Sequence, residues 1–264
     1  MSATLHSVAT TIDANRRAGT GTLVGYLPVA FPDLATSVDA AVALVENGVD
    51  ALELGVPYSD PVMDGLAIQK ATQAALVGGF RVHDVFTAVE AIRSRVDAPV
   101  LVMTYWNPVL QYGTDRFADA LVNAGGAGLI TPDITPDSGA EWIATSDRTG
   151  LDRVFLAAPS STDDRLLDTV AASRGFVYAV STMGVTGARM NVDAAARELV
   201  TRLRSAHAEN VCVGVGISTG DQVAEVLEYA DGAIVGAALV TALAEHGVAG
   251  VGRLAAALAQ GRTR

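Results

Sequence analysis

A glutamate lies inside the apolar run Ala51–Leu54, and that run passes into a loop of glycines, prolines and two more carboxylates, Asp60 and Asp64. If the run is a strand, its side chains alternate faces. Leu52, Leu54 and Val56 then share one side, and Ala51, Glu53 and Gly55 share the other. Both sides are suited to burial, as in a parallel strand covered by helices. A carboxylate held there resists ionisation, and its pKa rises toward neutrality. Two carboxylates on different supports can hold different proton affinities, so that one moves a proton while the other stays ionised and binds a donor. The competing reading is a Glu53 satisfied by an ion pair at the strand end, with Asp60 and Asp64 as turn or capping residues of a helix beginning near Gly65.

Two further constellations lie later in the chain. Phe176–Val180 reads as a strand carrying Tyr178, and it leads into a run of small polar residues and glycines up to Ala188, the composition of a mobile lid. The competing reading is a solvated loop without function. Gly214–Ser218 and Gly232–Ala237 are strands that end in glycine and lead into helices. Glycine lets an anion approach the backbone, and a helix N-terminus offers free N–H groups, so this pair is a candidate phosphate site. Alternatively, these glycines only relieve crowding.

Other chemistries find no support. His6, His83, His207 and His246 are scattered and form no metal-ligand pattern, so no metal is expected. Lys70 is the single lysine among 18 basic residues, and it falls on the helix after the second loop rather than at a strand end. It reads as a solvated surface residue, so a Schiff-base aldolase is a weak alternative. The net charge is −11 with no basic stretch, which argues against nucleic acid and anionic membranes as partners. No apolar run reaches spanning length and no secretory leader is recognisable, so the expectation is a cytoplasmic protein. The one cysteine, Cys212, lies in an apolar strand and reads as core packing.

The elements that must position these residues alternate regularly. Strands are expected at Thr22–Leu27, Ala51–Leu54, Val100–Thr104, Gly128–Ile130, Arg153–Leu156, Phe176–Val180, Val211–Val215 and Gly232–Val235. Amphipathic helical segments fall between them, with Asp33, Thr114, Thr162, Asp193 and Thr219 as expected N-caps. One further helix opens the chain at Leu5–Arg17, and another closes it at Ala249–Gln260 after a break beyond Ala244. Eight strand–helix units in 264 residues predict a closed (β/α)₈ barrel, α/β in class, forming one domain over residues 1–264. Barrel enzymes carry their chemistry on the loops after the strands, where these residues fall.

The motifs Leu52–Pro61, Met183–Gly187, Gly214–Ser218 and the Gly236 turn, in this order and spacing, closely resemble the tryptophan synthase alpha subunit family from about Ile12 to Leu258. Tyr105–Pro108 and Pro132–Asp133 also look like that family. The resemblance implies retro-aldol cleavage of indole-3-glycerol phosphate to indole and glyceraldehyde 3-phosphate. It makes Glu53 the acid/base and Asp64 the carboxylate that binds the indole N–H. It places Tyr26 and Tyr178 beside the substrate, Thr186 on a loop that meets Asp64 on closure, and Gly187, Gly216, Gly236 and Ala237 around the phosphate. It further implies no cofactor in this chain, and a beta subunit partner carrying pyridoxal phosphate in an α2β2 heterotetramer. A stand-alone indole-glycerol-phosphate lyase and a non-catalytic activator of the beta subunit are the alternatives. The chain departs from the family pattern at Ala30, Leu66, Thr182 and Ala237, where Gly, Pro, Arg and Ser are frequent.

Overall fold

A computed structural model describes residues 7–180, 189–214 and 216–263. Helix α1 (Val8–Arg17) precedes strand β1 (Thr22–Pro28), and α2 (Leu34–Glu46) leads to β2 (Ala51–Gly55). Helices α3 (Leu66–Val77) and α4 (His83–Arg93) connect to β3 (Val100–Met103), and α5 (Trp106–Tyr112) and α6 (Thr114–Asn123) connect to β4 (Gly128–Thr131). The chain continues through α7 (Ala140–Thr149), β5 (Asp152–Ala157), α8 (Asp163–Ala172), β6 (Val177–Val180) and α9 (Arg189–Ser205). It ends with β7 (Val211–Gly214), α10 (Gly220–Leu227), β8 (Gly232–Val235) and α11 (Ala237–Ala259).

The strands pair in parallel in chain order and close on themselves, β8 against β1, as a TIM barrel with flanking helices. Period-two alternation divides the apolar residues between two cores. Val24, Ala51, Leu101, Ile130, Val154, Phe176, Cys212 and Ile234 fill the barrel interior. Leu23, Leu52, Leu54, Val100, Val102, Val213 and Val235 face outward beneath the helices. Cys212 is a buried free thiol, packed as a small hydrophobe as the sequence suggests.

Helix α1 packs Val8 and Ile12 into the interior cluster at the end where the strands begin. Buried Asp152, at the start of β5, holds it there by accepting from the Val8 N–H at 2.8 Å and the Ser7 hydroxyl at 2.9 Å. Two other rim aspartates join the ends of the chain to the strands. Asp50 accepts from the Leu23 N–H and pairs with Arg262 at 2.6 Å, and Asp231 accepts from the Val211 N–H and pairs with Arg16 and Arg204. These contacts tie the strand starts together and leave the opposite rim to the loops.

Asp33, Thr162 and Thr219 cap their helices as expected. Two expected caps do not. Gly113, with φ +95°, ends α5 and starts α6, so Thr114 already lies inside the helix with its side chain pressed into the core. Helix α9 begins at Arg189, which puts Asp193 in its interior. The two closing helices expected from the sequence both lie within α11, separated where Gly247 leaves helical geometry at φ +61°.

Ala30, after β1, adopts φ +59°, a conformation that glycine takes without steric penalty. The departure from glycine noted in the sequence therefore carries strain. Ala30→Gly is expected to stabilise the fold by about 0.5–1 kcal/mol, the relief of the left-handed conformation less the extra chain entropy of glycine. A urea midpoint shifted upward at unchanged slope will report it.

Candidate active site

Glu53 is the third residue of β2 and shares the inward face with Ala51 and Gly55. It stands beside Tyr26 of β1 and Leu101 of β3 in the strand register. Only 1% of it is exposed, and its Oε2 has no hydrogen-bond partner among the described residues. Burial, with a smaller contribution from the Asp64 charge, raises its pKa from 4.5 to about 8. No described residue forms a salt bridge with it, so the ion-pair reading fails.

Asp64 is half-buried on the loop between β2 and α3, and burial raises its pKa as well. It does not cap α3, since Gly65 occupies that position without a side-chain bond. Its carbonyl accepts from the Gln69 side-chain amide at 2.7 Å. Asp60 is an exposed turn residue whose carboxylate accepts from the Ser59 hydroxyl at 2.6 Å.

Two tyrosines reach across the mouth of the barrel, each lodged over a glycine of the next strand. A Cβ added at Gly55 would lie 2.2 Å from the Tyr26 hydroxyl oxygen, and one at Gly214 would lie 2.5 Å from that of Tyr178. Burial lifts both phenol pKa values. The Asp64 and Glu53 charges add to this at Tyr26, and the Glu53 charge adds to it at Tyr178. These mutual influences identify Glu53, Asp64, Tyr26 and Tyr178 as one cluster. Nothing in the local sequence announces the two glycine notches, because they depend on the register between strands. Gly55→Ala is expected to destabilise the protein by about 1–3 kcal/mol, since the added methyl overlaps the Tyr26 ring as well as its hydroxyl. Denaturant titration will measure the loss.

The late glycines differ from each other. Gly216 is exposed at φ +68°, and a Cβ there would meet nothing, so its backbone conformation rather than space calls for glycine. Helix α10 does not start at that strand end. It begins at Gly220 behind a capping box in which Thr219 and Gln222 satisfy its first turn. Helix α11 starts directly after β8, with Gly236 as its N-cap, Ala237 exposed as its first residue and no side-chain cap. Its first N–H groups are thus the ones left for an anion. Gly236 also lies against Tyr26, where a Cβ would meet the ring at 3.5 Å. Thr186 and Gly187 lie outside the described residues.

No group of three metal-ligating side chains occurs among the described residues. Lys70 is exposed on α3, as expected of a solvated residue. No helix among the described residues is long and apolar enough to cross a membrane.

Comparison with known proteins identifies the family. The family profile "Tryptophan synthase alpha chain" matches residues 12–260. The tryptophan synthase alpha chain of Leifsonia xyli subsp. xyli is 70% identical over 257 residues, covering 97% of this chain and 98% of that protein. A chain of Mycobacterium tuberculosis tryptophan synthase superposes with a TM-score of 0.93 at 51% identity, covering 99% of this chain and 100% of that one. A chain of the tryptophan synthase complex from Pyrococcus furiosus does so with a TM-score of 0.82 at 31% identity, covering 92% and 98%. By fold and by sequence, the chain belongs to the tryptophan synthase alpha chain family.

Proposed function

We propose that Glu53 and Asp64 divide the proton work of the family's lyase reaction, the retro-aldol cleavage of indole-3-glycerol phosphate. The observation that carries this reading is a Glu53 that is dry, directed into the barrel, without a partner among the described residues and held near pKa 8 beside Asp64. At neutral pH Glu53 is mostly protonated and can give its proton to C3 of the indole. The ring nitrogen then carries positive charge. Asp64 is the less buried carboxylate, so it ionises more readily, and it accepts a hydrogen bond from that N–H and stabilises the cation. The bond between C3 and the glycerol carbon breaks as that carbon's hydroxyl loses its proton. The anionic Glu53 collects this proton, directly or through a water, and returns to its starting state. Indole and glyceraldehyde 3-phosphate result, with no net proton change.

Tyr26 and Tyr178 form the walls around the ring, and the backbone at Gly216, Gly236 and Ala237 takes the phosphate. Thr186 and Gly187 complete the closed site, as the family resemblance implies. Ala237 offers an N–H but no hydroxyl. This chemistry asks for no cofactor here, and pyridoxal phosphate belongs to the beta partner. Residues 1–264 act as one cytoplasmic domain. The loops after β2, β3 and β6 form the docking face for a beta subunit in an α2β2 assembly. Support for that face comes from Val62 and Leu66, 81% and 75% exposed on either side of Asp64.

The test is indole release from indole-3-glycerol phosphate by the purified chain, alone and with a beta subunit. Indole should appear in both and faster with the partner. No indole in either removes the assignment. Indifference to the partner favours a stand-alone lyase, and stimulation of the beta reaction without indole release favours an activator.

A further inference from the structure

Tyr105 stands at the N-cap of α5, buried, with its ring 5.2 Å from that of Tyr58. Its hydroxyl oxygen accepts from the N–H of Val62 at 3.0 Å and from the N–H of Met63 at 2.9 Å. These are the two residues immediately before Asp64. Both lone pairs of the phenol oxygen are thereby used, on backbone that lies 43 and 42 positions away in sequence.

The segment on the Tyr105 side is itself held. The Thr104 hydroxyl donates to the Tyr105 carbonyl at 2.9 Å, and the Trp106 N–H donates to both carboxylate oxygens of Asp133, at 2.9 and 3.0 Å. Asp133 belongs to the loop after β4. Among the described residues, no other hydrogen bond holds the Val62 or Met63 backbone. Val62 is almost fully exposed, and Pro61 lacks an N–H. Val62 contributes no burial and Met63 is only half-buried, so hydrogen bonds do most to place Asp64 from that side. Buried Tyr105 supplies two of them, and Gln69 holds the Asp64 carbonyl from the other side.

We propose that Tyr105 is a positioning residue, its hydroxyl fixing the Val62–Met63 backbone so that the Asp64 carboxylate meets the indole nitrogen at the barrel mouth. This rests on the role given to Asp64 above. The third and fourth loops then act on catalysis without touching substrate. Asp133 sets Trp106, Trp106 fixes its neighbour Tyr105, and Tyr105 sets the approach to Asp64. Misplacing a charge-stabilising group by about 1 Å is enough to lower rate on the order of 100-fold.

Tyr105→Phe keeps the ring against Tyr58 and removes only the oxygen. The freed N–H groups sit on a loop open to water, so the fold survives. Indole release should fall about 10–100-fold in kcat/KM, mainly through kcat, because the interaction with the cation strengthens as the transition state forms. In an Asp64→Asn background the same change should cost less than about twofold, because the group it positions is already disabled. A purely structural role would produce the same factor in both backgrounds, and that result overturns the proposal. So does turnover of Tyr105→Phe within about twofold of wild type. Wild type and Glu53→Gln run alongside separate the two readings. If Glu53→Gln keeps full turnover, the proton assignment has failed. If Glu53→Gln is inactive while Tyr105→Phe is unaffected, only the positioning role has.

Discussion

Glu53→Gln will release indole about 10²–10⁴-fold more slowly than wild type, the range spanned by single general acid–base groups. The change is close to isosteric, and at neutral pH the native side chain is mostly protonated, so a neutral amide replaces a mostly neutral acid. The barrel interior is therefore expected to keep its packing, and circular dichroism with a thermal melt will show it. The amide can occupy the site and donate a hydrogen bond, but it cannot hand a proton to carbon and take one back. Turnover near the native rate would exclude Glu53 from the chemistry.

The same substitution should change how stability responds to pH. The pKa of Glu53 is raised in the folded state, from 4.5 to about 8. Folded protein therefore binds this proton more tightly than unfolded chain. The stabilisation is fully present below about pH 4.5 and is lost as pH climbs through about 8. Across that window the native protein should lose on the order of 5 kcal/mol through this group alone. Glu53→Gln has no such proton to lose. Its stability relative to wild type should rise from about pH 5 to about pH 8 and level off above, read by urea unfolding at each pH. Parallel curves for the two proteins would mean that Glu53 is not desolvated.

The barrel was legible because each strand carries its own apolar signature and each helix its period. Alternation set Glu53 on the face opposite Leu52 and Leu54, though with both faces buried only barrel closure showed which one points inward, and the exposure of Lys70 followed from its place beyond the second loop. Contacts between remote segments were not legible. Thr114 looked like a cap because Thr before a helix usually is one, and only the turn at Gly113 moved the helix start. The late glycines looked equivalent, but the Thr219–Gln222 box closes one helix start and leaves that of α11 free. The hold of Tyr105 on the second loop and the notches at Gly55 and Gly214 arise between strands and loops that are neighbours in space alone. Thr186 and Gly187, named by resemblance, fall outside the described residues.

Tyr26 touches both halves of this arrangement. Its hydroxyl lies over Gly55, one residue beyond the Glu53 neighbour, while its ring rests on Gly236 at the start of α11. A single rigid aromatic thus acts as a molecular ruler between the carboxylate proposed to protonate carbon and the backbone proposed to hold the anionic tail. Ligand length, as well as ligand chemistry, becomes a criterion for turnover. An indole analogue with its phosphate one methylene further out should bind yet turn over poorly, losing kcat more than KM, because seating one end draws the other out of line.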